Sequence, residues 1–539
     1  MPEARHEEDR VSAVLRRRVR CGDPHLGGCG ALSADALIAR FEEERSRALG
    51  RFGRKQAGLY YTPPTIAAEV LAIALRTSGV EDGRVLDPCA GGGAFLVAAA
   101  RAGLRDLHGF DLDPGALRVA RQALRLCGAT ARLRRADALR VAPREPADLI
   151  VSNPPYGHVS VAAERAFLLR AFPALRGGEI DRYAAFLLRA LQLVRPGGAA
   201  ALLVPDTWMF LSRSGALRQE VIAQAEVAAL VDLGKPFASA KDTRVQAVVL
   251  VRRPALARAT YVARRGKALA TVSRGELVAT STRGWFVYRS AAERDLCRAM
   301  EANAVPLGSV CKVGYGMRTG NNARHVGRRE PRGREIGLIG GEDIVPYALR
   351  WRPKTLLDPS PLARLVDRQV GSERVAVQRI RTNALVPWAR WLEAAVVGRD
   401  RVCLDSLSTL SCGDPERLWA LLAWIQAVPL QRYHRLRTTD VNVKPSALRE
   451  LPVPRALLDD PSSLADLARQ RAVADGPGAA HALDRRIDAC VYSLFALTGR
   501  LVDASERGYW GERYSQEIRQ LERCMSDPSG KLARREEIA

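Results

Sequence analysis

One stretch limits what this chain can fold into more than any other: Asp148-Leu-Ile-Val-Ser-Asn153-Pro154-Pro155-Tyr156-Gly157. Its apolar run reads as a buried strand, and the strand stops at two prolines because neither can donate a hydrogen bond to a neighbouring strand. Asn153 is thereby delivered to the carboxyl edge of a sheet. In an open α/β sheet that edge is where ligands bind, so a carboxamide, an acceptor-only proline carbonyl and a tyrosine ring are presented together. The trio suits an amino group on a nucleobase, a poor nucleophile because its lone pair is delocalised into the ring. If the Asn153 oxygen and the Pro154 carbonyl each accept one N–H, the nitrogen is pushed toward tetrahedral geometry while Tyr156 stacks on the base. The competing reading is a plain turn, since Asn-Pro and Pro-Pro are common loop punctuation.

The residues upstream read as a parallel sheet. Arg84 to Asp87 is a strand ending, Pro88-Cys89-Ala90-Gly91-Gly92-Gly93 a glycine-rich turn, and Ala94 to Ala102 a small-residue helix. Strand Leu107 to Asp111 and a helix from Pro114 to about Cys127 complete a βαβ unit. Its glycines let the backbone approach a ligand, and the carboxylate at the next strand's tip can take both hydroxyls of a ribose. No Gly-Lys-Ser/Thr follows, which excludes a P-loop, and adjacent glycines do not match the spaced glycines that a pyrophosphate requires. A strand-end aspartate ahead of the glycines suits a ligand with positive charge and no phosphate. S-adenosylmethionine, with its sulfonium and ammonium groups, is such a ligand; an NAD-type site is the alternative.

Further elements follow in order. Ala131 to Ala136 reads as a strand ending in Asp137, which can accept from an adenine amino group. A helix from about Arg182 to Leu193 precedes strand Ala199 to Val204, and strands Val227 to Leu233 and Val245 to Val251 close the sheet as a hairpin. The loop between them, residues 234–241, carries Phe237, which is either a second ring for an extruded base or a core plug. Ahead of the sheet, Gly58-Leu-Tyr60-Tyr61-Thr62-Pro63-Pro64 reads as a helix start. Thr62 is the expected N-cap and Pro63 the first helical residue, with free N–H groups that could hold a carboxylate. Ser33 to Leu49 has a helical apolar pattern but no evident chemistry.

Length and charge set the outer limits. At 539 residues two or three domains are expected. A formal charge of +24 points to a polyanionic partner, nucleic acid before membrane. Ten cysteines are scattered without a CxxC pair, so neither a disulfide framework nor a standard zinc module is indicated. Cys21, His25 and Cys29 form one local group lacking a fourth partner. No segment has the apolar length of a bilayer span and no signal peptide is evident, so a cytoplasmic, nucleoid-associated protein is expected.

Tyr60-Tyr-Thr-Pro-Pro64, Asp87-Pro-Cys-Ala-Gly-Gly-Gly-Ala-Phe95, Phe110-Asp-Leu-Asp-Pro114, Asp137 and Asn153-Pro-Pro-Tyr156 stand in that order. The series resembles the gamma-class adenine-N6 DNA methyltransferases of restriction-modification systems over roughly residues 58 to 252. The resemblance implies a Rossmann-like α/β fold of seven strands, dependent on S-adenosylmethionine, followed by an α+β DNA target-recognition domain. It implies that Thr62, Asp87 and the Gly91 region hold the methionine end of the cofactor, Asp111 the ribose and Asp137 the adenine. Tyr60, Pro88, Ala90, Gly93, Leu112 and Ala138 are counted beside them as cofactor contacts. Asn153, Pro154, Pro155, Tyr156 and Phe237 are implied as the catalytic set, with Tyr156 and Phe237 sandwiching the flipped adenine and no metal involved. The family often has Glu where Asp111 stands, a departure that keeps the carboxylate.

The expected layout is an extension over 1–56, the catalytic domain over 57–255, a linker over 256–290, target recognition over 291–525 and a charged tail over 526–539. Arg318, Asn321, Asn322, Arg379 and Arg381 have the chemistry to read base edges. Val313 to Asn322, Leu338 to Ile344, Leu451 to Pro454 and Ile487 to Tyr492 resemble target-recognition segments. Double-stranded DNA is the expected partner of a monomer, with a cognate restriction endonuclease as a second. The alternatives are an amino methyltransferase acting on RNA or on cytosine N4, or a non-catalytic DNA-binding subunit. By the family resemblance, Asn rather than Ser at 153 leans toward adenine.

Overall fold

A computed structural model describes residues 33–505 apart from 58–61, 142, 178, 238–243, 254–258, 265–266, 283, 288–289, 334, 368, 380–390, 438–441 and 504. Tyr60, Arg381, the Cys21/His25/Cys29 group and the tail lie outside the described residues. The chain divides into two compact units, residues 1–288 and 289–539. Among the described residues no helix is long and apolar enough to cross a membrane.

The first unit runs α1 (Ala34–Ala57), α2 (Pro64–Ser78), β1 (Arg84–Asp87), α3 (Ala94–Arg101), β2 (Asp106–Asp111), α4 (Pro114–Leu126), β3 (Arg132–Arg135) and β4 (Ala147–Ser152). It continues through α5 (Ala162–Ala171), α6 (Arg182–Leu193), β5 (Val194–Pro205), α7 (Gly215–Gln224), β6 (Glu226–Gly234) and β7 (Val245–Val251). β8 (Thr260–Arg264), β9 (Lys267–Val272) and α8 (Arg274–Thr280) complete it. The strands form one sheet in the order β3-β2-β1-β4-β5-β7-β6-β8-β9. The strands from β3 through β5 pair in parallel, and β7 runs antiparallel between β5 and β6. Helices on both faces leave β6 and β7 almost wholly buried, which is why both read as continuous apolar runs rather than alternating ones.

The seven strands expected from sequence are all present, but the sheet does not end with them. Residues 256–290, expected to be a linker, contribute β8 parallel to β6 and β9 antiparallel to β8. The physical reason is the open edge that β6 would otherwise present. Thr260, Val262, Ala263 and Val272 are buried along it, and Arg264 of β8 pairs with the buried Asp232 of β6 at 2.8 Å. Arg218 of α7, fully buried, donates to the carbonyls of Ser281 at 2.6 Å, Leu211 at 3.0 Å and Trp208, tying the end of α8 to the sheet domain. The segment covers an edge of the sheet instead of crossing its core.

Two local expectations also shift. α1 runs on to Ala57, beyond the pattern that ended near Leu49. α2 begins at Pro64 with Pro63 as its cap residue and no side-chain cap, so Thr62 is not the N-cap. Thr62 is instead buried and turned toward the end of β4.

The second unit packs a four-stranded antiparallel sheet (312–315, 407–411, 374–378, 394–397) and a second sheet of short strands against helices. Its main core centres on Trp424, Leu421, Leu430 and Ile487, all fully buried. The Leu451 to Pro454 motif forms a strand paired with Ala304–Pro306, and Ile487 to Tyr492 lies within helix Pro477–Leu494. These segments build the core rather than present side chains to solvent.

Candidate active site

β1 lies between β2 and β4, where the strand order reverses, so a crevice opens outside the carboxyl ends of these strands. Register places Val85 beside Leu149 and Leu86 beside Ile150, so Ser152 stands one residue past the position opposite Asp87, and their side chains meet. The Ser152 hydroxyl donates to Asp87 Oδ1 at 2.7 Å, and the Cys89 N–H donates to the same oxygen at 3.0 Å. Asp87 is 1% exposed, and burial pushes its carboxyl up to about 7; the Ser152 and Cys89 donors pull it down, and the charge of Asp111 adds to the rise.

Asp111, at the tip of β2, accepts from the Gly91 N–H at 2.8 Å and from the Asp113 N–H at 2.8 Å. Each oxygen therefore braces the turn it faces. Gly91 has φ +49°, in the left-handed region where a side chain is disfavoured, and the space over it is bordered by Glu42. Gly93 is different. A Cβ there would stand 2.9 Å from the Ala120 Cβ, so this glycine serves the approach of α4 to the turn and does not line the cavity. Asp137 accepts from the Leu139 N–H at 3.0 Å and pairs with Arg140 at 3.2 Å.

A cavity of about 520 Å³ unites these groups. Of the residues singled out from sequence, Thr62, Asp87, Pro88, Ala90, Gly91, Asp111, Leu112, Asp137, Ala138, Asn153 and Pro155 line it. Pro154, Tyr156 and Phe237 are buried and are not among the residues that line it. The sequence reading missed Ile38, Glu42 and Arg45 of α1, and the pair Glu164 and Arg182, which meet at 2.8 Å and 2.9 Å. Ser152 had a local signal, a hydroxyl directly before Asn153 in a buried strand. The α1 residues and the Glu164–Arg182 pair had none, because their place depends on how distant helices dock.

At the end of β4 the Asn153 Nδ2 donates to Thr62 Oγ1 at 2.9 Å, and the Tyr156 hydroxyl donates to Asn153 Oδ1 at 2.7 Å. The two contacts fix the carboxamide's orientation. The Tyr156 ring lies 6.3 Å from that of Phe237, tilted by 51°, and meets Tyr183 edge-on at 6.3 Å. The two rings expected to form a sandwich are thus brought together, but in a tilted contact rather than as parallel faces.

The lining carries six carboxylates (Glu42, Asp87, Asp111, Asp113, Asp137, Glu164) against two guanidiniums, Arg45 and Arg182. An acidic cavity in a chain of net charge +24 fits a cationic ligand bearing a diol and disfavours a phosphate. The positive-φ turn at Gly91 likewise leaves room that a Cβ would take.

A Rossmann-like sheet with β7 reversed, a glycine turn after β1 and acidic strand ends defines a class I methyltransferase unit. Within it, residues 47–262 match the family described as N-6 DNA Methylase, and the cofactor of such a unit is S-adenosylmethionine. The chain is 24% identical over 348 residues to the Type II methyltransferase M.VspI of Vibrio sp. (strain 343), spanning 63% of this chain and 80% of that one. It is 29% identical over 321 residues to the Type II methyltransferase M.TthHB8I of Thermus thermophilus, spanning 56% and 70%. Among solved structures, the cryo-EM structure of a DrdV–DNA complex is similar in fold, with a TM-score of 0.50 at 13% identity over 81% of this chain and 59% of that one.

Proposed function

We propose that the protein is a site-specific DNA methyltransferase, moving a methyl group from S-adenosylmethionine to N6 of an adenine turned out of duplex DNA. The observation that carries this reading is the presence of Asn153 in the same cavity as Asp87, Asp111 and Asp137. In this reading Asp87, Thr62, Pro88, Ala90 and Gly91 face the methionine end of the cofactor, Asp111 and Leu112 its ribose, and Asp137 and Ala138 its adenine. When bound there, the cofactor supplies an electrophilic methyl group on a positively charged sulfur.

The chain's own residues prepare the amine. A carboxamide oxygen has two acceptor sites, so Asn153 Oδ1 can take an amine N–H as well as the Tyr156 hydroxyl. The Pro154 carbonyl takes the second N–H, and the nitrogen lone pair is released from the ring. Thr62, by accepting from Nδ2, keeps the amide oxygen rather than the nitrogen available for this. Tyr156 stacks on one face of the base, and Phe237 covers the other once the tilted rings part. Stacking of ~1–3 kcal/mol per base offsets part of the few kcal/mol spent on extrusion.

The second unit is the reading head in this proposal. Arg318 is exposed and pairs with Asp405 at 3.2 Å, whereas Arg379 donates to the Asp405 carbonyl at 2.6 Å and lies over Tyr315. Asn321 caps the 322–325 turn and Asn322 accepts from Thr319. Arg318 is therefore the strongest base-reading candidate of the set, and Arg379 supports it. The Type II class of the relatives is the reason to expect a cognate restriction endonuclease beside a monomeric enzyme at the nucleoid; co-purification and mass in solution test both.

Labelled cofactor offered with duplex DNA, structured RNA and a release-factor-like protein is the direct test. Label in DNA, mapped by sequencing to adenine N6 in one short site, is the expected result. Label confined to RNA, protein or cytosine N4 overturns the proposal.

A further inference from the structure

The part of α1 before residue 47 precedes the stretch matched by the methylase family, and it carries no motif. It nevertheless forms one wall of the cavity through Ile38, Glu42 and Arg45. The wall is firmly built. Ala34 and Ile38 are buried in the core of the unit, Arg101 of α3 donates to both Asp35 oxygens at 2.9 Å and 3.0 Å, and Arg45 pairs with Asp113 at 2.9 Å. Ile38 lies so close to the glycine turn that a Cβ on Gly92 would stand 3.0 Å from its Cγ2.

Glu42 faces the turn from this wall. Its Oε1 stands 3.7 Å from where a Cβ on Gly91 or Gly92 would be. Across the same turn, the Gly91 N–H donates to Asp111. Two carboxylates, Asp111 and Glu42, therefore border one turn within one cavity, and each can accept further hydrogen bonds. Glu42 lines the cavity together with Asp111, Leu112 and Asp113 at the end of β2, the proposed ribose side, and burial raises its pKa, against Arg45, which lowers it.

We propose that Glu42 is a second cofactor-binding carboxylate, sharing the two ribose hydroxyls with Asp111 across the glycine turn. A vicinal diol offers two donors, and a pair of carboxylates on opposite sides of the turn takes one each. The proposal rests on the reading of this cavity as the S-adenosylmethionine site. It makes the part of α1 that precedes the matched domain part of the binding site.

The test is calorimetric titration of the full-length protein and its Glu42→Gln and Glu42→Ala variants with two ligands. S-adenosylhomocysteine carries both the amino-acid end and the ribose; 5′-methylthioadenosine carries the ribose and adenine alone. Both variants should bind both ligands about tenfold more weakly or worse, the loss expected for a charge-assisted hydrogen bond. Unchanged affinity for S-adenosylhomocysteine overturns the proposal, and so does a loss restricted to that ligand, which would assign Glu42 to the amino-acid end. A 2′,3′-dideoxy form of 5′-methylthioadenosine separates contact from turn shaping. Wild type and Glu42→Gln should bind it equally, and a remaining difference would mean that Glu42 only positions the turn. A wild type that binds neither parent ligand would bring down the underlying cofactor reading itself.

Discussion

At Asp87 a single buried carboxyl links pH to stability and to binding. Burial raises it from the ordinary 3.8 to about 7. Between these values the unfolded chain releases a proton that the folded chain keeps, so the stability this group contributes is full below 3.8 and is lost as pH rises through about 7. Asp87→Asn should remove that slope, which thermal melts of the ligand-free protein across the range would show. A cation in the cavity favours the ionised form, so affinity for S-adenosylmethionine should rise about tenfold between roughly pH 6 and pH 8 in the wild type and stay weaker and flat in Asp87→Asn. A wild-type affinity that does not change over this range would contradict the proposed role. At Asn153 the expectation is a split between steps. Asn153→Ala should lose transfer by about a thousandfold or more while S-adenosylhomocysteine binding survives, since the amide acts on charge that develops only during reaction. Tyr156→Phe, which keeps the ring and loses the hydroxyl, should retain activity within about tenfold, whereas Tyr156→Ala should not. Single-turnover rates on a cognate duplex measure all three.

Among the elements, β8 and β9 have the clearest consequence. Without them β6 becomes a long, apolar edge strand, and such edges template association with other chains. A fragment of residues 1–255 should therefore aggregate, whereas residues 1–288 should elute as a soluble species; soluble behaviour of the shorter fragment would show the edge to be protected in another way. Arg218 gives a second measure of the same annexation. Its guanidinium sits fully buried among main-chain carbonyls of the 208–211 and 281–282 turns, and burial lowers its pKa to about 10. Arg218→Met leaves those carbonyls unpaired and should cost about 2–4 kcal/mol in denaturant unfolding of the 1–288 fragment.

For the whole molecule the charge distribution separates two tasks. A strongly basic chain encloses an acidic cavity: in the proposed function the surplus cations meet a polyanion, and the carboxylates select a small cation. Binding to a non-cognate duplex should accordingly weaken by about a hundredfold between roughly 50 and 200 mM salt if four phosphates are contacted. Filter-binding or anisotropy titrations measure this slope. A flat response would mean that the arginines do not serve DNA. Cofactor affinity, set in a cavity of opposite sign, should change much less over the same salt range.

Much of the catalytic unit was legible in order along the chain, because strand ends are local events. A proline stops a ladder wherever it falls, glycines open a turn, and an apolar run of strand length buries itself; hence the ends at Asp87, Asp111, Asp137 and Asn153 could be named in advance, and all four line one cavity. What tertiary structure alone decided are contacts between residues far apart in sequence. Thr62 left its cap to hold Asn153, 91 positions away; Ser152 met Asp87 across 65; α1 folded back to become a wall; and 256–290 joined the sheet. Spacing can encode a helix face or a strand end, but a partner is chosen only when packing brings two elements to one place, and that choice leaves no local mark.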